Sequence, residues 1–406
     1  MIANTIQTRC CIAGGGPAGI MLGYLLARAG IGVVILEKWG DFLRDFRGDT
    51  IHPSTMEVLS ELGLLEKFLA LPHDETKQMK IHIGGKEYTI ADFTSLHVKC
   101  PYVAFIPQSD FLNFISVEAK KYPGFHLMMN AEAIDIIEEN GKIAGVKVKS
   151  GDNIFEIRAE LTVGADGRNS LIREKANMYV ENLGAPMDVL WFRLSSREEK
   201  IKEARFYLDN GKIFLMLNRG SYWQCGFIIK KGDFDRIKAK GIEDFRKAIQ
   251  SLAPPVANVV DEIKDWEQVK LLTVKVDHLT EWYKPGLICI GDAAHAMSPV
   301  GGVGINLAIQ DAIASANILI PALKNGHPNI TDLKAIQKRR YKPTRLTQSL
   351  QVIMQKRLIA PILNNPEKLK VPFILRLFEL MPFLRRIPAK RVGLGFRPEH
   401  IEYKIN

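Results

Sequence analysis

At 406 residues and 47% apolar content, the chain can bury a large core, and its length fits two or three lobes. Its net charge of +10 is lopsided: residues 331–406 hold 17 Lys/Arg against 5 Asp/Glu, so the basicity belongs to the tail. That distribution argues against a general nucleic-acid binder, and no nucleic-acid motif accompanies it.

The five cysteines, Cys10, Cys11, Cys100, Cys225 and Cys289, are odd in number and lie mostly in apolar runs. Adjacent Cys10 and Cys11 point to opposite faces of a strand, and no second pair has zinc spacing, so they read as reduced core residues. No metal and a cytoplasmic setting are expected. No signal-peptide pattern heads the chain, and no run reaches the roughly 20 apolar residues of a membrane-spanning helix.

Residues 8–13 read as a first strand that runs into Gly14, Gly15, Gly16, Pro17, Ala18 and Gly19. Helical spacing follows over 20–29, then a second strand over 33–36, ended by Glu37 with Lys38 beside it. Strand, Gly-x-Gly-x-x-Gly, helix, strand and acid together form the setting of a dinucleotide-binding loop. Gly14 permits the tight turn, Gly16 lets a pyrophosphate approach, Gly19 lets helix pack on strand, and Glu37 can hold a ribose diol.

Next comes RGDTIHP, in which Arg47 suits a pyrophosphate or ribose and His52 reads as structural. Residues 54–69 have a helical pattern. Short alternating runs over 71–106 read as strands outside the first lobe, and Gln108 opens an amphipathic helix. A strand meander occupies 125–163, with separate strands at 154–157 and 161–163. It ends in GADGRNSLIR, which puts Asp166 and Gly167 at a strand terminus, Ser170 at a helix cap and Arg173 near an entrance.

From 187 to 229 the strands are rich in large side chains, a natural lid for a flat apolar substrate, although Trp191, Tyr207, Phe214 and Trp223 are residue by residue better read as core. Helical and linking structure leads to a strand over 271–276. The stretch 287–306, LICIGDAAHAMSPVGGVGIN, is a buried strand ended by Gly291 and Asp292. A loop with Pro299, Gly301, Gly302 and Gly304 follows, then a long apolar helix. Its first-turn amides, from Gly302 and Val303 through Gly304, Ile305 and Asn306, suit a phosphate, an anionic ring or a flavin carbonyl.

The tail mixes basic and apolar residues, and prolines at 361, 366, 372, 382 and 388 limit helices there to a few turns. Packing across the lobes is the favoured reading of residues 373–391. A peripheral contact with an anionic membrane is the alternative.

GGGPAG at 14–19 with Glu37, GADGRNS at 164–170 and GDAAHAMSPVGGVGIN at 291–306 together resemble the group A, single-component flavoprotein monooxygenases, the para-hydroxybenzoate hydroxylase family. The resemblance implies an α/β fold: a Rossmann-like FAD-binding domain (1–70, 107–180 and 276–330), an inserted β-sheet substrate domain (71–106 and 181–275) and a basic helical C-terminal region (331–406). It further implies that the glycine loop and Glu37 hold the AMP half of FAD, while Arg47 and Gln108 line the pyrophosphate. Asp166 and Gly167 would lie beside that pyrophosphate, with a part in NAD(P)H use. Asp292 would bind the ribityl chain, Gly302 to Asn306 would meet the pyrimidine edge, and Pro299 would flank the place where oxygen reacts.

The activity implied is hydroxylation of an aromatic or quinoid small molecule with NAD(P)H and O2, through a flavin C4a-hydroperoxide. No second Gly-x-Gly-x-x-Gly lobe exists for a resident nicotinamide nucleotide, so NAD(P)H would dock transiently. No catalytic base is legible; Tyr207, Tyr222 and His295 are candidates by type only, with His295 better read as structural. The tryptophan-rich halogenase signature is absent from 221–229, and the basic tail stands where larger phenol hydroxylases carry a thioredoxin-like domain. Two other readings stay open: a flavin-dependent reductase of isoprenoid double bonds, and a flavin-binding sensor with little turnover.

Overall fold

The computed structural model describes residues 5–43, 48–196, 204–219, 221–365 and 371–403. Its central sheet begins with β1 (Thr5–Ala13), helix α1 (Pro17–Arg28) and β2 (Val33–Glu37). The same sheet continues with β3 (Phe125–Met129), β4 (Glu132–Glu139), β5 (Lys142–Ser150), β6 (Asn153–Gly164) and, far down the chain, β7 (Leu287–Cys289). The order β3-β2-β1-β6-β7 is parallel throughout. Such strands are covered on both faces, which is why VVILE of β2 is buried at every position.

Register fixes what this sheet can do. Ala13 lies beside Gly164 and Leu36, and Gly164 lies beside Cys289. The carboxyl ends of β1, β6 and β7 are therefore level, and the loops after them open on one edge, where open α/β sheets bind ligands.

Three sequence expectations change. Residues 154–157 and 161–163 belong to one twelve-residue strand, β6, because its first half pairs antiparallel with β5 while it also runs parallel to β1. The polar Arg158 in its middle reaches Glu139 and Glu156 at 2.5 and 3.1 Å. The helix expected over 54–69 is two, Pro53–Glu61 and Leu65–Leu69, broken at Gly63, whose φ is +71°. The strand expected over 271–276 stops at Leu272, since the Val274 amide turns to the Asp188 carboxylate (2.9 Å) and its carbonyl accepts from Lys231 (2.7 Å).

A second sheet of seven strands has the order Lys270–Leu272, Met187–Ser195, Tyr222–Lys230, Lys212–Asn218, Arg205–Asp209, Gln78–Ile83, Lys86–Asp92. Alternation along these strands splits the large side chains between two faces. Phe192, Phe214, Trp223 and Phe227 pack under helix Ile242–Leu252 with Phe245. Trp191 and Leu217 lie in a different cluster with Phe105, Val274 and Val276. Most of the aromatic face is thus core beneath a helix, not a lid.

Helix α2 (Gly304–Lys324) covers the first sheet beside α1, and α3 (Ile330–Met354) packs along it. By length and composition Val300–Lys324 could cross a membrane, contrary to the sequence expectation, yet 78% of its most apolar window is buried in the protein. Asn329 and Asp332 form a reciprocal cap that starts α3, which runs 25 residues with Pro343 inside. Beyond it α4 (Phe373–Leu380) and α5 (Arg386–Gly393) lie against strand Lys86–Asp92. Ile359, Ile362 and Leu375 share a cluster with Ile81, Ile83 and Met187, with Val300 at its margin, so the tail joins the second sheet to the loop ahead of α2.

Candidate active site

The glycine loop is shaped by close approach. Gly14 has φ +111°, and a β-carbon there would lie 2.3 Å from the Ala165 carbonyl oxygen and 2.8 Å from the Asp166 α-carbon. One on Gly19 would lie 2.0 Å from the Gly14 carbonyl oxygen, so only glycine lets α1 leave the strand so tightly. Around Gly16 a β-carbon would meet nothing within 4 Å. Helix α1 begins at Pro17 with no side-chain cap, which leaves the Ala18 and Gly19 amides at its head. Buried Glu37 accepts from the amides of Gly15 (3.2 Å) and Trp39 (3.1 Å), and the Lys38 ammonium lies over the Trp39 ring. Arg47 lies outside the described residues.

Beside this loop, the Asp166 carboxylate takes the Ser170 hydroxyl at 2.5 Å and the Ile172 amide at 3.1 Å, fixing the turn through Gly167. Burial pushes its carboxyl above the ordinary range in spite of those bonds. Ser170 in turn accepts from the Arg173 amide, the cap expected of it. Arg173 is not at an entrance: its buried guanidinium binds Asp277 at 3.3 and 3.4 Å and the carbonyls of Ala293 and Arg168. Arg168, which the motif contains but whose role sequence did not disclose, bridges to Asp292 at 3.3 Å. Its Nε and Nη1 are buried with no hydrogen-bond partner. The Gly291 β-position faces the Ala18 methyl at 3.1 Å. Three stretches separated by more than a hundred residues therefore touch at one place.

The GDAAH histidine is structural, as its sequence setting suggests. His295 Nε2 meets the Asp311 carboxylate at 2.6 Å, and that carboxylate also takes the Gly291 amide (3.1 Å) and Arg340 Nε (2.9 Å). Burial alone would raise the Asp311 pKa; His295 and then Arg340 hold it below the carboxylate range. Arg340 also reaches Glu399 near the chain's end. Of the other base candidates, Tyr207 stacks on His82 at 4.6 Å within the second sheet, and Tyr222 lies under the Arg193 guanidinium.

The loop carrying Pro299 is gripped from α3. Gln351 accepts from the Ser298 amide (3.1 Å) and donates to the carbonyls of Ser298 (3.0 Å) and Val300 (2.8 Å). One turn away Gln348 donates to the carbonyls of Asp277 and Ala296, and Gln355 donates to the Ser298 hydroxyl at 2.6 Å. Gly302 has φ +63° and accepts from the Thr50 hydroxyl at 2.8 Å. Val303 offers no side-chain cap to α2, so the amides of Gly304, Ile305 and Asn306 head that helix. The Asn306 side chain is not free for a ligand edge: its oxygen takes the His52 amide and the Thr55 hydroxyl, and its nitrogen donates to the Thr50 carbonyl.

Next to Thr50, Asp49 pairs with Arg219 of the second sheet at 2.7 Å. The Gln108 amide donates to the other Asp49 oxygen at 3.3 Å, and Gln224 accepts from Arg219 Nε at 3.0 Å. Arg219 lies over the Phe105 ring, and its Nη1 is buried without a partner. Burial raises the Asp49 carboxyl even though Arg219 pulls it down. Neither residue was singled out from sequence; the only local signal was a charge at the edge of an apolar run.

A model described as an FAD binding domain matches residues 7–348. The 6-methylpretetramide 4-monooxygenase of Streptomyces rimosus is 28% identical over 363 residues, covering 88% of this chain and 86% of that protein. The para-nitrophenol 4-monooxygenase of a Pseudomonas species is 24% identical over 329 residues, 78% of each chain. Among solved structures, p-nitrophenol 4-monooxygenase PnpA from Pseudomonas putida superposes with a TM-score of 0.77 at 18% identity, over 97% of this chain and 100% of that one. PqsL from P. aeruginosa, in complex with 2-aminobenzoylacetate, gives 0.76 at 20% identity, over 88% of this chain and 100% of that one. At such identities the superpositions speak to the fold, which matches the α/β architecture described above. With the matched family model and the three converging stretches, the chain belongs to the FAD binding domain family, as a group A flavoprotein monooxygenase of the para-hydroxybenzoate hydroxylase type.

Proposed function

We propose that this monooxygenase hydroxylates an aromatic or quinoid small molecule, with NAD(P)H as transient reductant and O2 as oxidant. One observation carries the reading: the loops after β1, β6 and β7 meet on one edge, and the last of them is tied through Thr50 and Asp49 to the second sheet at Arg219. Relatives named for 6-methylpretetramide and para-nitrophenol support an oxygenated ring as substrate.

The residues present fit FAD. Space stands open at the Gly16 β-position, two helices begin without side-chain caps, and Arg168 has buried N–H groups with no partner. The Ala18 and Gly19 amides would take the pyrophosphate, with Gly14 and Pro17 shaping the turn, Glu37 on the ribose and Lys38 beside it. Arg47, Gln108, Asp166 and Gly167 would border the pyrophosphate, and Asp292 with Arg168 the ribityl chain. The amides of Gly302, Val303, Gly304, Ile305 and Asn306 would meet the pyrimidine edge, where a helix head favours negative charge.

Bound FAD supplies the redox chemistry, accepting a hydride from NAD(P)H and activating O2. In the overall balance one oxygen atom replaces a ring hydrogen as hydroxyl; the other leaves as water with that hydride and a proton from solvent. The chain's own work is placement and exclusion of water. Pro299 would flank the reacting edge, Gln351 and Gln355 fix its loop, and the Arg219–Asp49 pair would offer a polar anchor in an apolar wall.

The test is incubation of the holoprotein with NADPH or NADH and isotopically labelled O2, against p-nitrophenol and polyhydroxylated fused-ring compounds. Expected is compound-stimulated nucleotide oxidation with one labelled oxygen in the product. Oxidation yielding only peroxide across the panel, or product forming equally well without oxygen, would overturn the reading.

A further inference from the structure

We propose that the α4–α5 segment docks on an anionic lipid bilayer. Helix α4 is apolar on two opposite sides. Leu375 is buried and Phe378 packs inward on the second sheet, while Phe373, Ile374, Leu380 and Met381 point away from it and are exposed, Phe373 at 77% and Leu380 at 80%. Arg376 and Glu379 separate the two apolar sides, and the protein covers only one of them. The outward side continues through Phe383 (66% exposed) to Ile387 on α5. Single exposed hydrophobes are ordinary, but six in fifteen residues form a patch that marks an interaction surface.

Charge selects the partner. Exposed Arg376, Arg386, Lys390 and Arg391 flank the patch, and its one acid, Glu379, is paired with Lys86 at 2.8 Å. A second copy of the chain would set this basic rim against itself, whereas lipid headgroups of negative charge complement it. Leucine and phenylalanine facing outward beside arginine and lysine are the composition of an interfacial helix, whose binding sums apolar burial and attraction to anionic lipid. The tail prolines, which shorten each helix, do not oppose this, because the packed inner side holds α4 and α5 in place.

The experiment is co-sedimentation of the full-length FAD-loaded protein with vesicles of phosphatidylglycerol and phosphatidylcholine in equal parts. Expected is binding that falls at least about tenfold on phosphatidylcholine alone or in high salt. Replacing Phe373, Leu380 and Phe383 by serine should abolish it, and Arg386→Glu with Lys390→Glu should do the same, with thermal melting and nucleotide oxidation unchanged. No binding to anionic vesicles, or binding indifferent to both variants, would overturn the proposal. A wild-type dimer that the serine variant makes monomeric, or retention on an acidic protein without vesicle binding, would overturn it in favour of a protein partner.

Discussion

Gly14 and Ala165 approach so closely that a β-carbon on the glycine would lie 2.3 Å from the alanine carbonyl oxygen, while a β-carbon on Gly16, two residues on, would touch nothing within 4 Å. The first glycine serves the fold, and the second leaves the open space into which the proposed pyrophosphate would fit. Gly14→Ala meets a backbone atom at positive φ and should destabilise the apoprotein by roughly 3 kcal/mol. Gly16→Ala should cost the apoprotein no more than about 1 kcal/mol, yet weaken FAD at least about tenfold. Urea melts of both apoproteins and a flavin-fluorescence titration of Gly16→Ala decide this; unchanged FAD affinity in Gly16→Ala would remove the pyrophosphate from that position.

Asp49, just ahead of the strand Thr50–Ile51, and Arg219, just past the second-sheet strand Lys212–Asn218, form a largely buried pair. Removing one partner strands the other charge, so Arg219→Met should cost about 3 to 5 kcal/mol. Adding Asp49→Asn should return part of that loss, a coupling that a double-mutant cycle measures. Hydroxylation should fall in all three variants. Strict additivity would show that the pair is not an energetic unit.

Local chemistry made the converging stretches legible. Glycines 14 and 19 mark a strand-to-helix turn whose close approaches no other residue fits, and Asp166 and Asp292 follow apolar strand ends that can be read directly. Partner choice across the chain was not legible. Arg168 stands in a motif that was recognised, but its bond to Asp292 spans 124 residues, and no periodicity encodes it. Gln348, Gln351 and Gln355 look like solvated positions of a polar helix until the loop at Ala296–Val300 is laid against them. Arg173 read as an entrance residue because arginine is usually exposed; the buried Asp277 facing it reverses that prior.

The grip of Gln351 on Ser298 and Val300 gives a third expectation. Gln351→Leu leaves three backbone groups unpaired in a largely buried setting, at about 1 kcal/mol or more each. Stability should drop by roughly 3 kcal/mol. Looser placement of Pro299 should also divert turnover, so that less product forms per nucleotide oxidised and more peroxide appears. The measured ratio of product to nucleotide is the check. A variant that is destabilised but fully coupled would confine the glutamine to folding.

His52 provides a pH test that needs no substrate. It is buried, its Nδ1 meets the Val392 carbonyl at 2.7 Å, and its backbone amide is tied to Asn306. Burial depresses its pKa from 6.5 to about 4, with the Val392 bond pulling weakly the other way. Below pH 6.5 the unfolded chain therefore binds a proton that the folded chain refuses until about pH 4. The stabilisation is fully present above pH 6.5 and is lost as pH falls towards 4, at up to about 1.4 kcal/mol per pH unit and on the order of 3 kcal/mol in all. His52→Gln removes the titrating group. Its unfolding free energy, from urea melts between neutral pH and the lower limit of that window, should depend on pH less steeply than wild type by close to one proton. Parallel slopes in the two proteins would mean that His52 is protonated in the folded state after all.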